Sequence, residues 1–112
     1  MKKDFVPYET TLELKTLGFN ETCFGYRDGA GYLMIKQIPN CVISNPTYSQ
    51  AFRWIRDNYE LYYTIEGSKK EGFQYFTYTY ENENKSEELF NSYEETELAC
   101  LTKLIQIIKE KK

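Results

Sequence analysis

Toward the end of the chain Leu98, Leu101, Ile105 and Ile108 recur at helical spacing, with Leu104 and Ile107 widening the stripe. That is the pattern of a helix with one buried face. Ser92-Tyr93-Glu94-Glu95 precedes it with the Ser-x-x-Glu spacing that satisfies the free amides of a helix start, and Lys109, Lys111 and Lys112 fall where the macrodipole favours cations. The spacing predicts a helix over 93–109. A second start lies at Thr47-Tyr48-Ser49-Gln50, after Pro46, with Ala51, Phe52 and Ile55 on one face and Trp54 at its margin, and predicts a helix to about Asn58. A third helix is expected from Tyr8 to Leu17, between Pro7 and Gly18.

Between these segments the period falls to two. Leu61, Tyr63 and Ile65 alternate with Tyr62, Thr64 and Glu66, a Gly67-to-Gly72 turn follows, and Phe73 to Tyr80 is almost wholly aromatic and threonine, which reads as a hairpin. Cys23 to Arg27 and Tyr32 to Lys36 flank the glycine-rich Asp28-Gly29-Ala30-Gly31 and predict another, with a further short strand at Cys41 to Ser44. The fold class expected is therefore α+β: one domain over 1–112, in the order α-β-β-α-β-β-α. An isolated hairpin is marginal, so both are expected in one antiparallel sheet of about four strands with helices on one face. The helix starts around Tyr8, Tyr48 and Tyr93 share a pattern. It is accounted for either by duplication of an α-β-β unit or by capping chemistry alone.

Alternation then assigns faces. With Leu33, Ile35, Leu61, Tyr63, Ile65, Phe76, Tyr78 and Tyr80 turned toward the helices, Tyr32, Met34, Lys36, Tyr62, Thr64, Phe73, Tyr75 and Thr77 turn outward. The candidate binding set is Tyr32, Met34, Lys36, Tyr62, Phe73 and Tyr75. Such a face suits a protein partner, a second copy, a flat ligand or stacked nucleobases, and ordinary cross-strand packing accounts for the same residues. Arg53 and Arg56 beside Trp54 read either as a rim or as solvated helix surface.

Composition sharpens this picture. The 112 residues include 11 Tyr, 7 Phe and 1 Trp, and tyrosine is roughly three times its ordinary share. There is no histidine, so a Ser-His-Asp or Cys-His site cannot be assembled, and the expected protein is not an enzyme. Glu81 with Glu83, Glu87 with Glu88 and Glu94 with Glu95 read as solvated acids in a polar loop or a first helical turn, with weak divalent-cation binding or a carboxylate-dependent enzyme as the alternatives that sequence leaves open. No metal site and no cofactor is expected, because Asp28-Gly29-Ala30-Gly31 lacks the ending of a phosphate loop and no EF-hand order occurs. Cys23, Cys41 and Cys100 have no Cys-x-x-Cys spacing and read as free thiols in a reducing cytoplasm. No run approaches the roughly 20 apolar residues of a membrane span, and Asp4, Pro7 and Glu9 interrupt the start where a signal peptide needs an apolar stretch. The net charge of −3, with acids concentrated between Glu81 and Glu97, is the wrong sign for a duplex-binding footprint.

Pro46-Thr47-Tyr48-Ser49-Gln50-Ala51-Phe52-Arg53-Trp54-Ile55-Arg56, Leu61-Tyr62-Tyr63-Thr64-Ile65 and Ser92-Tyr93-Glu94-Glu95-Thr96-Glu97-Leu98-Ala99-Cys100-Leu101 carry a resemblance that spans most of the chain. In these runs it resembles small uncharacterised proteins of bacteriophages and prophage-like elements of Bacteroidetes-type bacteria. The resemblance implies a setting and brings no site residue with it. By analogy, the resemblance implies a role of the kind phage accessory proteins of this size often have, binding a host protein, a nucleic acid or a small signalling molecule. The functional expectation is a non-enzymatic, cytoplasmic, phage-related binding module that uses its aromatic sheet face for a protein partner or for homo-oligomer formation. The alternative is a small-ligand or single-stranded nucleic-acid binder stacking on the same face.

Overall fold

The computed structural model describes residues 4–21, 25–27, 33–35, 43–79, 83–86 and 88–111. The fold is α+β. Among the described residues the order is α1 (Tyr8–Thr16), β1 (Gly25–Arg27), β2 (Leu33–Ile35), β3 (Ile43–Asn45), α2 (Tyr48–Tyr59), β4 (Tyr62–Ser68), β5 (Gly72–Tyr78), β6 (Glu83–Lys85) and α3 (Tyr93–Lys111). Two compact units divide the chain, Met1–Ala51 and Phe52–Lys112.

In the first unit α1 ends through a nested pair of hydrogen bonds. The Phe19 N–H donates to the Leu14 carbonyl at 3.1 Å and the Gly18 N–H to the Lys15 carbonyl at 3.1 Å, with Gly18 at φ 106°. A side chain is strained at that angle, so the glycine sets the end of the helix. Leu14, Leu17 and Phe19 are buried, and the Lys15 ammonium lies 5.2 Å from the Phe19 ring centre. The sheet has the order β2-β1-β3, antiparallel throughout. Asn45 closes the unit from the end of β3 at 0% exposure. Its amide donates to the carbonyls of Val6 (2.9 Å) and Pro46 (3.1 Å), and its Oδ1 accepts from the Thr11 hydroxyl at 3.2 Å. The start of the chain is thereby held to α1 and β3 by groups that burial leaves no water to satisfy.

In the second unit β5 is central in the order β4-β5-β6. The hairpin register runs from Tyr62 opposite Tyr78 to Ser68 opposite Gly72. Beyond β6, the Ser86 N–H donates to the Tyr75 carbonyl and its hydroxyl accepts from the Tyr75 N–H, while Phe90 and Phe73 exchange backbone bonds of 2.7 and 2.8 Å. Phe73 and Tyr75 are thus tied to the segment that leads into α3. That helix is capped as its spacing predicts, by the Ser92 hydroxyl accepting from the Glu95 N–H at 3.1 Å. Its stripe Leu101, Leu104, Ile105 and Ile108 is buried. The predicted cap of α2 is also present, with the Gln50 N–H donating to Thr47 Oγ1 at 3.2 Å.

The expected single sheet of about four strands and the order α-β-β-α-β-β-α are corrected. Each hairpin acquires its own third strand, β3 on the open edge of β1 and β6 on the open edge of β5, so stability is met locally and no edge remains on β1 or β5 for the other hairpin. The α-β-β repeat is corrected with it. A duplicated unit would keep the same strand in the middle, whereas the central strand is the first of its sheet in one unit and the second in the other.

Candidate functional site

Residues opposite one another in a ladder point to the same face. The register therefore puts Tyr62, Tyr78, Thr64, Phe76, Glu66 and Gln74 on one face of the second unit's sheet and Tyr63, Thr77, Ile65, Tyr75 and Phe73 on the other. The second face is the one α3 and Phe52 cover. Phe52 stacks on Tyr63 with ring centres 3.8 Å apart, Phe73 meets Tyr93 edge-on at 6.2 Å, and Tyr75 stacks on Phe90 at 6.2 Å.

Opposite α3 lies a different surface. Tyr62 is 40% exposed and lies nearly parallel to Tyr78, ring centres 5.9 Å apart and planes 18° from one another. Thr64 and Glu66 are exposed on β4, Phe76 and Tyr78 are half-buried on β5, and exposed Lys85 and Glu83 on β6 stand opposite Phe76 and Tyr78. An aromatic centre with a threonine, an amide and both signs of charge around it is suited to contact with a protein surface.

Of the expected binding set, Tyr62 lies on this outer face. Phe73 and Tyr75 do not: they belong to the face under α3, together with Thr77. The physical reason is the parity of the turn. Residues 69–71 form a loop of three between Ser68 and Gly72, so paired positions share odd or even numbering. The expected facing joined odd positions of β4 to even positions of β5, which requires an even loop, and a one-residue slip turns every side chain of a strand over. Phe76 and Tyr78 take the places assigned to Phe73 and Tyr75. Met34 is in the first unit's sheet, its backbone opposite Tyr26, and so does not share a sheet with Tyr62. Tyr32 and Lys36 lie outside the described residues, as do the Asp28-to-Gly31 turn, Tyr80, Cys23 and Cys41.

The covered face is where electrostatics are perturbed. Burial raises the Tyr63 and Tyr93 hydroxyls above their ordinary range, with the Glu97 carboxylate adding to both. Burial also pushes the Cys100 thiol up to about 12, again with a contribution from Glu97. Cys100 is a free thiol held protonated at neutral pH, which suits packing and not nucleophilic attack. Trp54 is buried against the edge of Tyr59 at 5.6 Å, while Arg56 is exposed and turned to Asp57 at 3.3 Å. Among the described residues no group of three potential metal ligands comes together, and no helix is long and apolar enough to cross a membrane.

No protein-family model, curated protein or solved structure matches this chain.

Proposed function

We propose that the protein is a non-enzymatic interaction module, a phage or mobile-element accessory protein acting in the cytoplasm, whose contact surface is the outer face of the β4-β5-β6 sheet. The observation that carries this reading is the Tyr62–Tyr78 stack, with Tyr62 40% exposed on the face away from α3. Tyrosine brings large, rigid area and a polar hydroxyl, so it contributes to association without the solubility cost of a leucine or phenylalanine patch. The charges beside it are Glu66, Glu83 and Lys85, which favours a protein surface over the phosphates of a nucleic acid.

The experiment compares wild type with Tyr62→Ser and Tyr78→Ser, each verified as folded by circular dichroism. It combines capture of partners from a host extract with light scattering across a concentration series. A contact made by wild type and lost in both variants is the expected result; contacts retained equally by all three proteins overturn the reading. Nucleotides and single-stranded oligonucleotides are titrated in parallel against Trp54 fluorescence. Saturable binding that Tyr62→Ser abolishes would replace the protein-partner reading with the stacking alternative.

A further inference from the structure

The two edges of the second unit's sheet are unlike. β6 is three residues long, Glu83-Asn84-Lys85, short and charged, as edges that avoid pairing commonly are. β4 has seven residues, Tyr62–Ser68, with no proline and a single charge at Glu66, and among the described residues no strand pairs with its outer side. Tyr62, Thr64, Glu66, Gly67 and Ser68 are exposed. A strand of this length leaves alternate N–H and C=O groups directed outward, the arrangement onto which a further strand adds.

Charge along the segment selects the occupant. Glu60 stands just before β4, and Lys69 and Lys70 follow it in the turn, all three exposed. A strand acidic at its start and basic at its end complements itself when run antiparallel. We infer that β4 pairs antiparallel with β4 of a second copy about a two-fold axis at Ile65, joining the two sheets into one of six strands. This rests on the reading of this sheet as a contact surface, and it moves the first contact from the aromatic face to the strand edge.

The register follows from the same charges. With the axis perpendicular to the sheet, both α3 helices lie on one side and opposed residues keep the same parity. Ile65 opposite Ile65 then sets Thr64 against Glu66, Tyr62 against Ser68, and Glu60 against the Lys69–Lys70 turn of the other copy. Sliding two positions one way brings Glu66 against Glu66, a like-charge contact on directly opposed residues. Sliding two positions the other way puts Glu60 opposite Ser68 and loses its contact with Lys70. The Ile65 register alone satisfies both ends, and it doubles the length of the Tyr62–Tyr78 face.

Exposed Thr64 tests the pairing without touching the core. Sedimentation velocity of the full chain over a concentration series is run for wild type, Thr64→Lys and Thr64→Glu. A reversible dimer is expected. Thr64→Lys, placed twice against Glu66, tightens it and Thr64→Glu loosens it, each about threefold to tenfold. Lys70→Glu also loosens the dimer, and adding Glu60→Lys restores it. The differences shrink at high salt. A monomer at every concentration overturns the inference, as do Thr64 variants that move association equally. Association indifferent to Thr64 charge but lost with Tyr62→Ser overturns the edge pairing and keeps the aromatic contact face. A charge-sensitive dimer whose partner contacts ignore Tyr62 and Tyr78 does the reverse.

Discussion

Thr77 and Thr96 are two buried threonines of the second unit with opposite hydrogen-bonding fates, and replacing each by valine should move stability in opposite directions. Thr77, in the central strand, is 1% exposed and among the described residues its hydroxyl has no partner. A buried hydroxyl left unsatisfied costs about 1–3 kcal/mol, and valine supplies a methyl of similar size in a residue type that suits strands. Thr77→Val is therefore expected to stabilise by about 1–2 kcal/mol, which raises the melting temperature by about 4 °C per kcal/mol in a chain of this length. Thr96 is equally buried at 0% exposure, but its hydroxyl donates to the Ser92 carbonyl at 2.7 Å. That carbonyl also accepts from the Thr96 N–H at 3.2 Å, so valine removes one bond without leaving the oxygen alone. The loss expected for Thr96→Val is about 1 kcal/mol. Urea unfolding followed by Trp54 fluorescence reads both variants within one unit. If Thr77→Val loses stability as Thr96→Val does, the Thr77 hydroxyl is making a bond that the geometry does not account for, and the reasoning fails.

Glu60 has φ 55° at the end of α2, where its N–H donates to the Arg56 carbonyl, and Glu60→Gly should gain about 1 kcal/mol in urea melts by relieving a left-handed conformation that a side chain resists. Asn45→Ala strips the Val6 and Pro46 carbonyls and the Thr11 hydroxyl of a partner and should cost about 2–4 kcal/mol in thermal denaturation, where an unchanged midpoint would show that water replaces the amide. Cys100 should resist iodoacetamide at pH 8 in the folded protein and react on adding urea, as judged by mass spectrometry. Stability should fall on alkaline titration: Cys100, Tyr63 and Tyr93 bind their protons more tightly when folded, so their contribution is complete below their unfolded values and is lost as pH rises through the folded ones. For Cys100 that window runs from its ordinary 9.0 to about 12, and Cys100→Ala should flatten the fall.

The helices were legible because their ends and faces are written in local chemistry. Pro7 and Gly18 bracket α1, Thr47 starts α2, and Ser92 with Glu95 starts α3, each through groups within a few residues of one another. The strand pairings were less so. β6 consists of Glu83, Asn84 and Lys85, residues with little preference for strands, and its place is fixed by its backbone pairing with Phe76, Thr77 and Tyr78. Nothing in its own sequence announces a strand, because the partner ladder supplies the reason for it. β3 differs, because the short strand expected over Cys41 to Ser44 overlaps it; what its sequence does not announce is that it ends in Asn45, an ordinary turn residue that serves here as the buried junction of three segments.

The contact face turned on a smaller quantity still. Composition and alternation identify an aromatic hairpin with one covered side, and they place Tyr62, Tyr63, Thr64 and Ile65 on their correct sides. They say nothing of whether the loop after Ser68 holds an even or an odd number of residues, since Gly67-Ser68-Lys69-Lys70-Glu71-Gly72 offers glycines at both ends and accommodates either. The structure puts both Gly67, at φ 138°, and Gly72, at φ 94°, within the strands, and a Cβ on Gly67 would meet the Gly72 carbonyl and Phe73 backbone. Close approach of the two backbones at that point closes the hairpin through three residues and locks the parity. Phe73 and Tyr75 then belong to the packing beneath α3, and Phe76 and Tyr78 to the surface. A strand carrying aromatic residues on both sides gives no hydrophobic contrast to choose between them, so the choice falls to the backbone at Gly67.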